Sequence, residues 1–248
     1  MHLSKRLQMV TDCVTKGNTV ADVGCDHAYI SIYLVENEIA TRAVAMDINE
    51  GPLQRAASNV KEYGYENRIM TRLSDGLQKL QPGEADSIVI AGIGGDLMVR
   101  ILSEGDACVK SAKELVLQPQ SEVDKVRRYL HKLGFLIVQE NMCIDDGKYY
   151  VVIHAKNEKI PYDEAKELTL LERVENKYGP ILLKQKHPIL KQYLEKESKT
   201  THLIIDNLKA NPSEKNRYRQ EEMEEELYML ERALDFFIKE ENSWNYVK

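Results

Sequence analysis

The chain has 248 residues, with 34 Lys and Arg against 40 Asp and Glu. Its formal charge of −6 gives no sign of a nucleic-acid partner, so any such surface must be local. The four cysteines lie far apart without a Cys-x-x-Cys pair, which argues against a disulfide framework or a zinc site. The N-terminal MHLSKRLQMV has no secretion-signal core, and no apolar run reaches the length of about 18 residues that a membrane span needs. We therefore expect a cytoplasmic protein without a membrane segment.

Up to about Ala155, short β-branched runs alternate with helical patterns such as Leu53–Tyr63 and Leu97–Glu104. The predicted strands are Thr19–Val23, Ala43–Met46, Ile69–Arg72, Ser87–Ala91, Glu114–Gln118, Phe135–Asn141 and Tyr149–Ala155. This alternation predicts a doubly wound, mostly parallel sheet. The turn Asp145-Asp146-Gly147 lies between the last two strands, so they should pair as a hairpin. Six parallel strands with one late antiparallel strand is the Rossmann-like arrangement of class I methyltransferases.

After Pro161 the chain becomes rich in Glu, Lys and Leu, and glycine almost vanishes. We predict a helix over Asp163–Tyr178, followed by an antiparallel, coiled-coil-like helical hairpin. The predicted stripes of residues at helical spacing are Leu190, Tyr193, Leu194, Glu197, Thr201, Ile204 and Leu208, then Met223, Leu227, Leu230, Leu234 and Phe237. Asn211 is the predicted N-cap of the second helix, with Pro212 at its first position and Glu214 closing a capping box. The predicted domains are 1–158, catalytic, and 159–248, helical.

The turn in TVADVGCDHAYISIYLV is the most informative motif. Ligands of open α/β sheets bind at the carboxyl ends of strands, and Gly24 follows the first strand. A dinucleotide needs Gly-x-Gly-x-x-Gly there, whereas this turn has one glycine, and Asp26 would repel a phosphate. S-adenosylmethionine carries an ammonium group and no phosphate. The turn therefore favours this methyl donor as the ligand.

Three further motifs follow successive strands and agree with a methyl-donor site. Asp47 ends the second strand, where a carboxylate can accept both ribose hydroxyls, and Ile48 follows it in the proposed site. Asp75 can accept from the adenine amino group, and Gly76 allows close approach. The glycines at 92, 94 and 95 leave room for a flat base beside the methyl group.

Each of these residues has a purely structural alternative. Asp26 and Asp96 are also suited to cap helices, and His27 at a helix start can simply bond backbone. The glycines at 92–95 can serve the turn alone. The sequence identifies no residue as a base that would deprotonate Cys25, so we expect this thiol to be unreactive.

The acceptor is indicated by motifs that the chain lacks. Enzymes that methylate exocyclic amines carry Asp/Asn-Pro-Pro-Tyr/Phe after the fourth strand, where this chain has Ala-Gly-Ile-Gly. Enzymes that methylate uracil C5 need a placed cysteine, and neither Cys108 nor Cys143 lies in such a motif. Adenine N1 has a free lone pair at neutral pH, so its methylation needs neither that motif nor a cysteine nucleophile. Catalysis then requires positioning and a carboxylate that offsets the cation left on the base.

Taken together, DVGCDHAYI, AMDIN, SDGL, AGIGG, LQPQ and the helical C-terminus resemble the bacterial tRNA (adenine-N1)-methyltransferases that modify position 22. The resemblance spans essentially the whole chain. It implies S-adenosylmethionine binding by Gly24, Asp26, His27, Asp47, Ile48, Asp75, Gly76 and Gly92, with Asp26 and His27 as catalytic residues and no metal. It also implies that Arg6, as a donor-binding residue, and Gln118-Pro119 face the same cleft.

A tRNA partner needs a basic surface on this acidic chain. Between Lys177 and Lys199, six lysines stand against Glu195 and Glu197. We predict tRNA contacts by Lys177, Lys184, Lys186 and Lys191, with Arg127 and Arg128 in KVRRYLHK as a second basic stretch. Both stretches can instead be solvated helix faces. We expect a monomer. The rival functions are a class I methyltransferase for another acceptor and a helical RNA-binding protein with a vestigial donor pocket.

Overall fold

The structure is a computed structural model, and it describes residues 1–238. Seven strands form one sheet: β1 (Thr19–Val23), β2 (Arg42–Asp47), β3 (Ile69–Leu73), β4 (Ser87–Ile93), β5 (Glu114–Pro119), β6 (Phe135–Asp145) and β7 (Lys148–Asn157). Every predicted strand is present, and the observed strands begin or end within a few residues of the predicted limits. The central strands are continuous apolar runs because helices cover both faces of a doubly wound sheet.

The strand order is β3-β2-β1-β4-β5-β7-β6. The pairs from β3 to β5 are parallel, and β7 is antiparallel to both β5 and β6. The prediction of six parallel strands and one late antiparallel strand is confirmed. The strand order reverses between β1 and β4, so the carboxyl ends of these two strands border the crevice where ligands of such sheets bind.

The helices of the sheet-bearing part are α1 (Lys5–Thr11), α2 (Tyr29–Glu36), α3 (Glu50–Glu62), α4 (Gly95–Glu104), α5 (Asp106–Ser111) and α6 (Val123–Lys132). Ile32 and Leu34 of α2 and Val116 of β5 are fully enclosed in one apolar core. Burial of each such side chain contributes roughly 1.5–3 kcal/mol. Within residues 1–238, no helix combines the length and apolarity that crossing a membrane requires.

The chain divides into two compact units, Met1–Lys166 and Glu167–Lys248. The first holds the whole sheet, and the predicted boundary at residue 158 falls just after β7. The helices of the second unit are α7 (Leu170–Tyr178), α8 (Pro180–Lys184), α9 (Pro188–Ala210) and α10 (Glu214–Ile238).

The prediction of one helix over Asp163–Tyr178 is wrong at its N-terminus. Helix α7 begins only after Thr169, whose hydroxyl accepts from the backbone N–H of Glu172. The Glu172 carboxylate accepts in return from the Thr169 N–H, at 2.8 Å. This capping box satisfies two N–H groups at the helix end and fixes where α7 starts.

The predicted cap of α10 is also wrong. Asn211 ends α9 as its C-cap, and the Ser213 hydroxyl accepts from the N–H of Asn216 at 3.1 Å. Pro212 therefore lies before α10, and Glu214 is its first residue rather than the partner in a capping box.

Helices α9 and α10 pack together as the predicted hairpin, but the buried positions differ in part from the predicted stripes. Ile204 is exposed, while its neighbour Ile205 is buried with Thr201. On α10, Met229 and Ala233 are buried along with Leu230 because α10 also packs on α7 and α8. A two-helix seam therefore accounts for only part of the apolar surface of α10.

Candidate functional site

The chain turns sharply between β1 and α2. Gly24 has φ +75°, and its N–H donates to the Met46 carbonyl at 2.8 Å, as the N–H of Cys25 does at 3.0 Å. A Cβ on Gly24 would meet nothing within 4 Å, so glycine is required here by backbone conformation rather than by neighbouring protein atoms. The turn thus leaves open space beside an exposed backbone, as a ligand that approaches closely requires.

Asp26 does not cap α2. Its Oδ1 accepts a 2.8 Å hydrogen bond from Nη2 of Arg55, and Ala28 is the N-cap residue. Both Asp26 and Ala28 have positive φ, 42° and 57°, an unfavourable conformation for residues with a Cβ. The positive φ values mark a strained loop, and the ion pair ties this loop to α3.

His27 is held by its main chain and by ring stacking. Its carbonyl accepts from Nδ2 of Asn59 at 2.9 Å, and its ring stacks on Tyr29 with the ring centres 5.1 Å apart. Nε2 lies 3.6 Å from Oδ2 of Asp26, and about a third of the side chain is exposed. The imidazole is therefore held beside the second oxygen of the Asp26 carboxylate and still reaches solvent.

Asp47 at the end of β2 is buried, and its Oδ1 accepts from the backbone N–H of Asn49 at 2.8 Å. In the part of the chain that the structure describes, Oδ2 has no protein hydrogen bond. The next side chain, Ile48, is 56% exposed. One oxygen of the Asp47 carboxylate is therefore fixed, and the other is available beside the exposed Ile48 side chain. This arrangement suits a ligand that has hydroxyl groups and a flat ring.

Asp75 follows β3 and is half-buried, and Gly76 after it has φ +53°. A Cβ on Gly76 would lie 3.0 Å from the Ile101 side chain. The Ser74 hydroxyl donates to the Gly76 carbonyl at 2.9 Å, and the Ser74 N–H donates to the Asp47 carbonyl at the same distance. These bonds connect the ends of β2 and β3 and hold Asp47 and Asp75 at one edge of the sheet.

The glycines near the end of β4 have separate roles. Gly92 lies within the strand, where its pairing with β5 shifts, and has φ +83°. A Cβ on Gly95 would be 2.5 Å from the Ser121 carbonyl oxygen, so this glycine is needed for packing. Asp96 lies inside α4 and pairs with Lys125 at 2.8 Å; Gly94 is the N-cap. Asp96 is therefore not the cap, and Gly95 is explained by its close contact with Ser121.

Arg6 of α1 reaches the ends of β4 and β5. Its Nη1 donates to Oε1 of Gln118 at 2.9 Å and lies 3.2 Å from where a Cβ on Gly92 would be. Its guanidinium lies over the Tyr150 ring, 5.5 Å from the ring centre, and its backbone N–H donates to Asp145 at 3.2 Å. The structure thus brings together Arg6, Gln118 and Gly92, which sequence reasoning associated only through the resemblance.

Asp22, the buried carboxyl before the glycine turn, accepts from the Ser31 hydroxyl at 2.8 Å. Burial raises the pKa of Asp22 to about 6, with a smaller contribution from Asp47, although the Ser31 bonds oppose the rise. Burial likewise raises the pKa of the Cys25 thiol, which agrees with an inert cysteine. The sequence showed Asp22 at the turn but not its enclosure, which depends on the packing of α2.

The predicted tRNA-contact residues differ in availability. Arg127 is buried and pairs with Glu140, so the prediction that it binds phosphate is wrong. Arg128 pairs with Asp124 at 3.0 Å. In the helical unit, Lys177 pairs with Glu226, Lys191 lies 3.9 Å from Glu195, Lys186 is half-buried, and Lys184 is exposed with no partner among residues 1–238.

Comparison with known proteins shows what this arrangement resembles. Residues 3–153 match a family model described as a methyltransferase domain. The chain is 33% identical over 238 residues to the tRNA (adenine(22)-N(1))-methyltransferase of Bacillus subtilis (strain 168), covering 95% of this chain and 98% of that protein.

Two solved structures are similar over nearly the full length. An uncharacterized protein from Listeria monocytogenes has a TM-score of 0.86 at 33% identity, covering 94% of this chain and 100% of that one. A putative tRNA (m1A22) methyltransferase from Streptococcus pneumoniae, in complex with S-adenosyl-L-methionine, has a TM-score of 0.80 at 29% identity, with the same coverages. Since sheet, site and full-length relatives agree, the chain belongs to the bacterial tRNA (adenine(22)-N1)-methyltransferase family.

Proposed function

We propose that this protein transfers the methyl group of S-adenosylmethionine to N1 of an adenine in tRNA, at position 22, and acts as a monomer in the cytoplasm. The observation that carries the proposal is Asp47, a buried carboxylate with one oxygen fixed and the other available. It ends the strand next to the open Gly24 turn, at the edge of the sheet where such ligands bind.

The donor's nucleoside would be held at the ends of β2 and β3. The free Oδ2 of Asp47 accepts from the ribose hydroxyls, and the exposed Ile48 side chain covers one face of the adenine. Asp75 accepts from the adenine amino group beside Gly76. Gly24 lets the donor lie against backbone, because no protein atom occupies the space that its Cβ would face. Gly92 and Arg6, which lie close together, would border the donor on its methyl side.

When bound, the donor supplies a methyl group on a sulfonium. The adenine N1 lone pair forms the new C–N bond while the C–S bond breaks, leaving S-adenosylhomocysteine and a cationic base. Asp26 and His27 lie on the strained turn and have the charge and hydrogen-bonding capacity to stabilise that cation. The ion pair with Arg55 fixes the position of the Asp26 carboxylate and offsets part of its charge.

The helical unit would supply tRNA affinity through its basic residues. Lys184 and Lys191 are exposed on α8 and α9, and the weak 3.9 Å pair of Lys191 with Glu195 costs little to exchange for a phosphate. Lys177 and Lys186 would add to the positive potential of this unit, and Arg128 of the first unit would be a separate basic contact. Arg127 is not part of this surface.

The direct test is transfer of a labelled methyl group to an unmodified tRNA transcript that has adenine at position 22, followed by mass spectrometry of the nucleosides. We expect N1-methyladenosine with this transcript and none when position 22 is guanine. The Asp47→Ala variant serves as the donor-site control. Label on another nucleoside or on a small molecule would replace the proposed acceptor. Donor binding with no transfer to any RNA would contradict the proposal.

A further inference from the structure

The amide of Gln118 lies at the end of β5, opposite Ala91 of β4. The side chain is fully buried, and its Oε1 accepts from Nη1 of Arg6 at 2.9 Å. A guanidinium can only donate hydrogen bonds, so the amide atom facing Arg6 must be the oxygen. The orientation of the amide is therefore fixed, and its NH2 group faces away from Arg6.

This NH2 group has no hydrogen-bond acceptor anywhere in the part of the chain that the structure describes. Buried donors are almost always paired, because an unpaired one has lost its water without gaining a partner. A buried donor whose orientation is enforced by an arginine, at the ligand-binding edge of the sheet, indicates a partner that arrives with the substrate.

The surroundings of Gln118 place that partner beside Gly92. Arg6 and Gln120 lie over this glycine: Nη1 of Arg6 is 3.2 Å and Nε2 of Gln120 is 3.9 Å from where its Cβ would be. Arg6 is also held by Tyr150 and Asp145. Gln120 is exposed and Arg6 is half-buried. A flat base that displaces the exposed Gln120 side chain over Gly92 and lies beside the guanidinium of Arg6, which stays bonded to Oε1, reaches the amide without any movement of the sheet.

The order of the strands assigns this position to the acceptor rather than to the donor's nucleoside. Asp47 and Asp75 lie at the ends of β2 and β3, on one side of β1, whereas Gly92 and Gln118 lie on β4 and β5, on its other side. A donor whose ribose is held by Asp47 and which passes over Gly24 directs its methyl group toward β4. The base that receives the methyl group must approach from the side of Gln118.

We infer that Gln118 is a substrate-positioning residue, whose Nε2 donates a hydrogen bond to a ring nitrogen, N3 or N7, of the adenine that is methylated. Its oxygen is occupied by Arg6, so it can only donate to the base. The N6 amino group is a donor and cannot pair with it, and N1 needs its lone pair for the methyl group. This inference rests on the proposed function, and it assigns the side of the site that recognises the base.

The test combines changes in the amide with changes in the base. Gln118→Glu keeps an oxygen for Arg6 and replaces the free NH2 with an acceptor, and Gln118→Met removes both. Gln139→Glu adds the same charge at an exposed position of β6 and is the matched control. We expect both Gln118 variants to lower the single-turnover rate or raise the KM for tRNA by about 10-fold or more. Gln118→Glu, which keeps the bond to Arg6, should also leave donor affinity unchanged. Gln139→Glu should behave like wild type.

A purely structural role predicts a different result for Gln118→Glu. That variant keeps the bond to Arg6, so it would fold and methylate normally if the amide only positioned Arg6. Wild-type kinetics for Gln118→Glu would overturn the inference. Thermal melting of both variants separates this outcome from a loss of folding.

The acceptor atom is identified with tRNA that carries 7-deazaadenosine or 3-deazaadenosine at the target position. We expect the methylation rate of wild type to fall about 10-fold with one of the two analogues. The rate of Gln118→Met should fall no further with that same analogue. Because both enzymes are compared on the same analogue, the intrinsic effect of that analogue on the reactivity of N1 cancels. Independent, multiplicative losses with both analogues would overturn the inference, while wild-type methylation of normal tRNA would leave the proposed function intact. Absence of any methylation by wild type would instead contradict the proposed function.

Discussion

Nε of Arg127 donates to Oε1 of Glu140 across 2.7 Å, and the two side chains are 1% and 0% exposed. This pair joins α6 to β6 inside the catalytic unit. The attraction offsets the cost of taking both charges out of water only while both partners are present. The pair therefore has a structural role, and removal of one partner takes this compensation away from the buried charge that remains.

We expect Arg127→Ala to lower the free energy of unfolding by about 3–5 kcal/mol. The neighbouring Arg128→Ala removes only the exposed pair with Asp124 and should cost about 0–1 kcal/mol. Urea unfolding measures both. Equal small effects of the two substitutions would show that burial does not matter here, and an Arg127→Met, Glu140→Leu double variant should recover most of the lost stability.

The sequence was sufficient for the fold because its signals are local. The run Thr19–Val23 is apolar apart from Thr19 and Asp22, ends at a glycine and is observed with those limits. Asp47 and Asp75 could be placed at strand ends for the same reason. The sequence could not show that Arg127 meets a carboxylate 13 residues away or that one amide group, the NH2 of Gln118, is left unpaired. Both facts depend on tertiary packing, which composition and spacing do not encode.

Helix ends were predicted less well because several polar residues compete for each cap. Asn211 and Ser213 both suit an N-cap, and the choice depends on where α9 stops. Thr169 forms its capping box several residues after the predicted start of α7. In the site, aspartate is a residue type that commonly caps helices, but the carboxylate of Asp26 pairs with Arg55 on α3 instead of with the start of α2.

Asp47→Ala should weaken S-adenosylmethionine binding by about 1.5–3 kcal/mol for each charge-assisted hydrogen bond removed. The reason is that Oδ2 of Asp47 is available to a ligand while Oδ1 is bound by Asn49. Calorimetric titration measures the dissociation constant. Asp106→Ala, which removes an exposed carboxylate paired with Lys110, is the control and should leave binding unchanged. An unchanged constant for Asp47→Ala in a folded protein would remove Asp47 from the donor site.

Asp22 should make stability depend on pH. Its folded-state pKa of about 6 lies above the ordinary aspartate pKa of 3.8 because burial disfavours the charged form. The folded state therefore holds a proton that the unfolded state has released between these pH values, and stability falls as pH rises from about 4 to 6. The decrease is on the order of 3 kcal/mol. Urea unfolding of the ligand-free protein at several pH values should show it, and Asp22→Asn should abolish it. Parallel pH profiles for the two proteins would contradict the assignment.

Replacing Lys184 and Lys191 with alanine should weaken tRNA binding and make its salt dependence less steep, by about 1 in the slope for each phosphate that is no longer bound. The matched control replaces Lys110 and Lys113, which precede β5 in the first unit and pair with Asp106 and Asp86. Gel shifts over a salt series measure both. If the two double variants bind tRNA equally well, the lysines of α8 and α9 are only solvated.

The turn that carries Asp26 and His27 should affect the chemical step. Methylation at N1 leaves a cation on the base, and the Asp26 carboxylate and the imidazole of His27 lie side by side, with 3.6 Å between Oδ2 and Nε2. If they act on the transition state, Asp26→Asn and His27→Ala should each lower the single-turnover rate at saturating donor by about 10²–10³. Donor affinity should change far less.

Arg55→Met is the informative control for this turn, because it leaves the Asp26 carboxylate in place and removes its 2.8 Å partner. A role limited to holding the loop predicts that Arg55→Met reproduces the effect of Asp26→Asn. A role in charge stabilisation predicts instead that Arg55→Met retains most of the rate, since the negative charge beside the base remains. Near-wild-type rates in both Asp26→Asn and His27→Ala would mean that the turn only binds the donor.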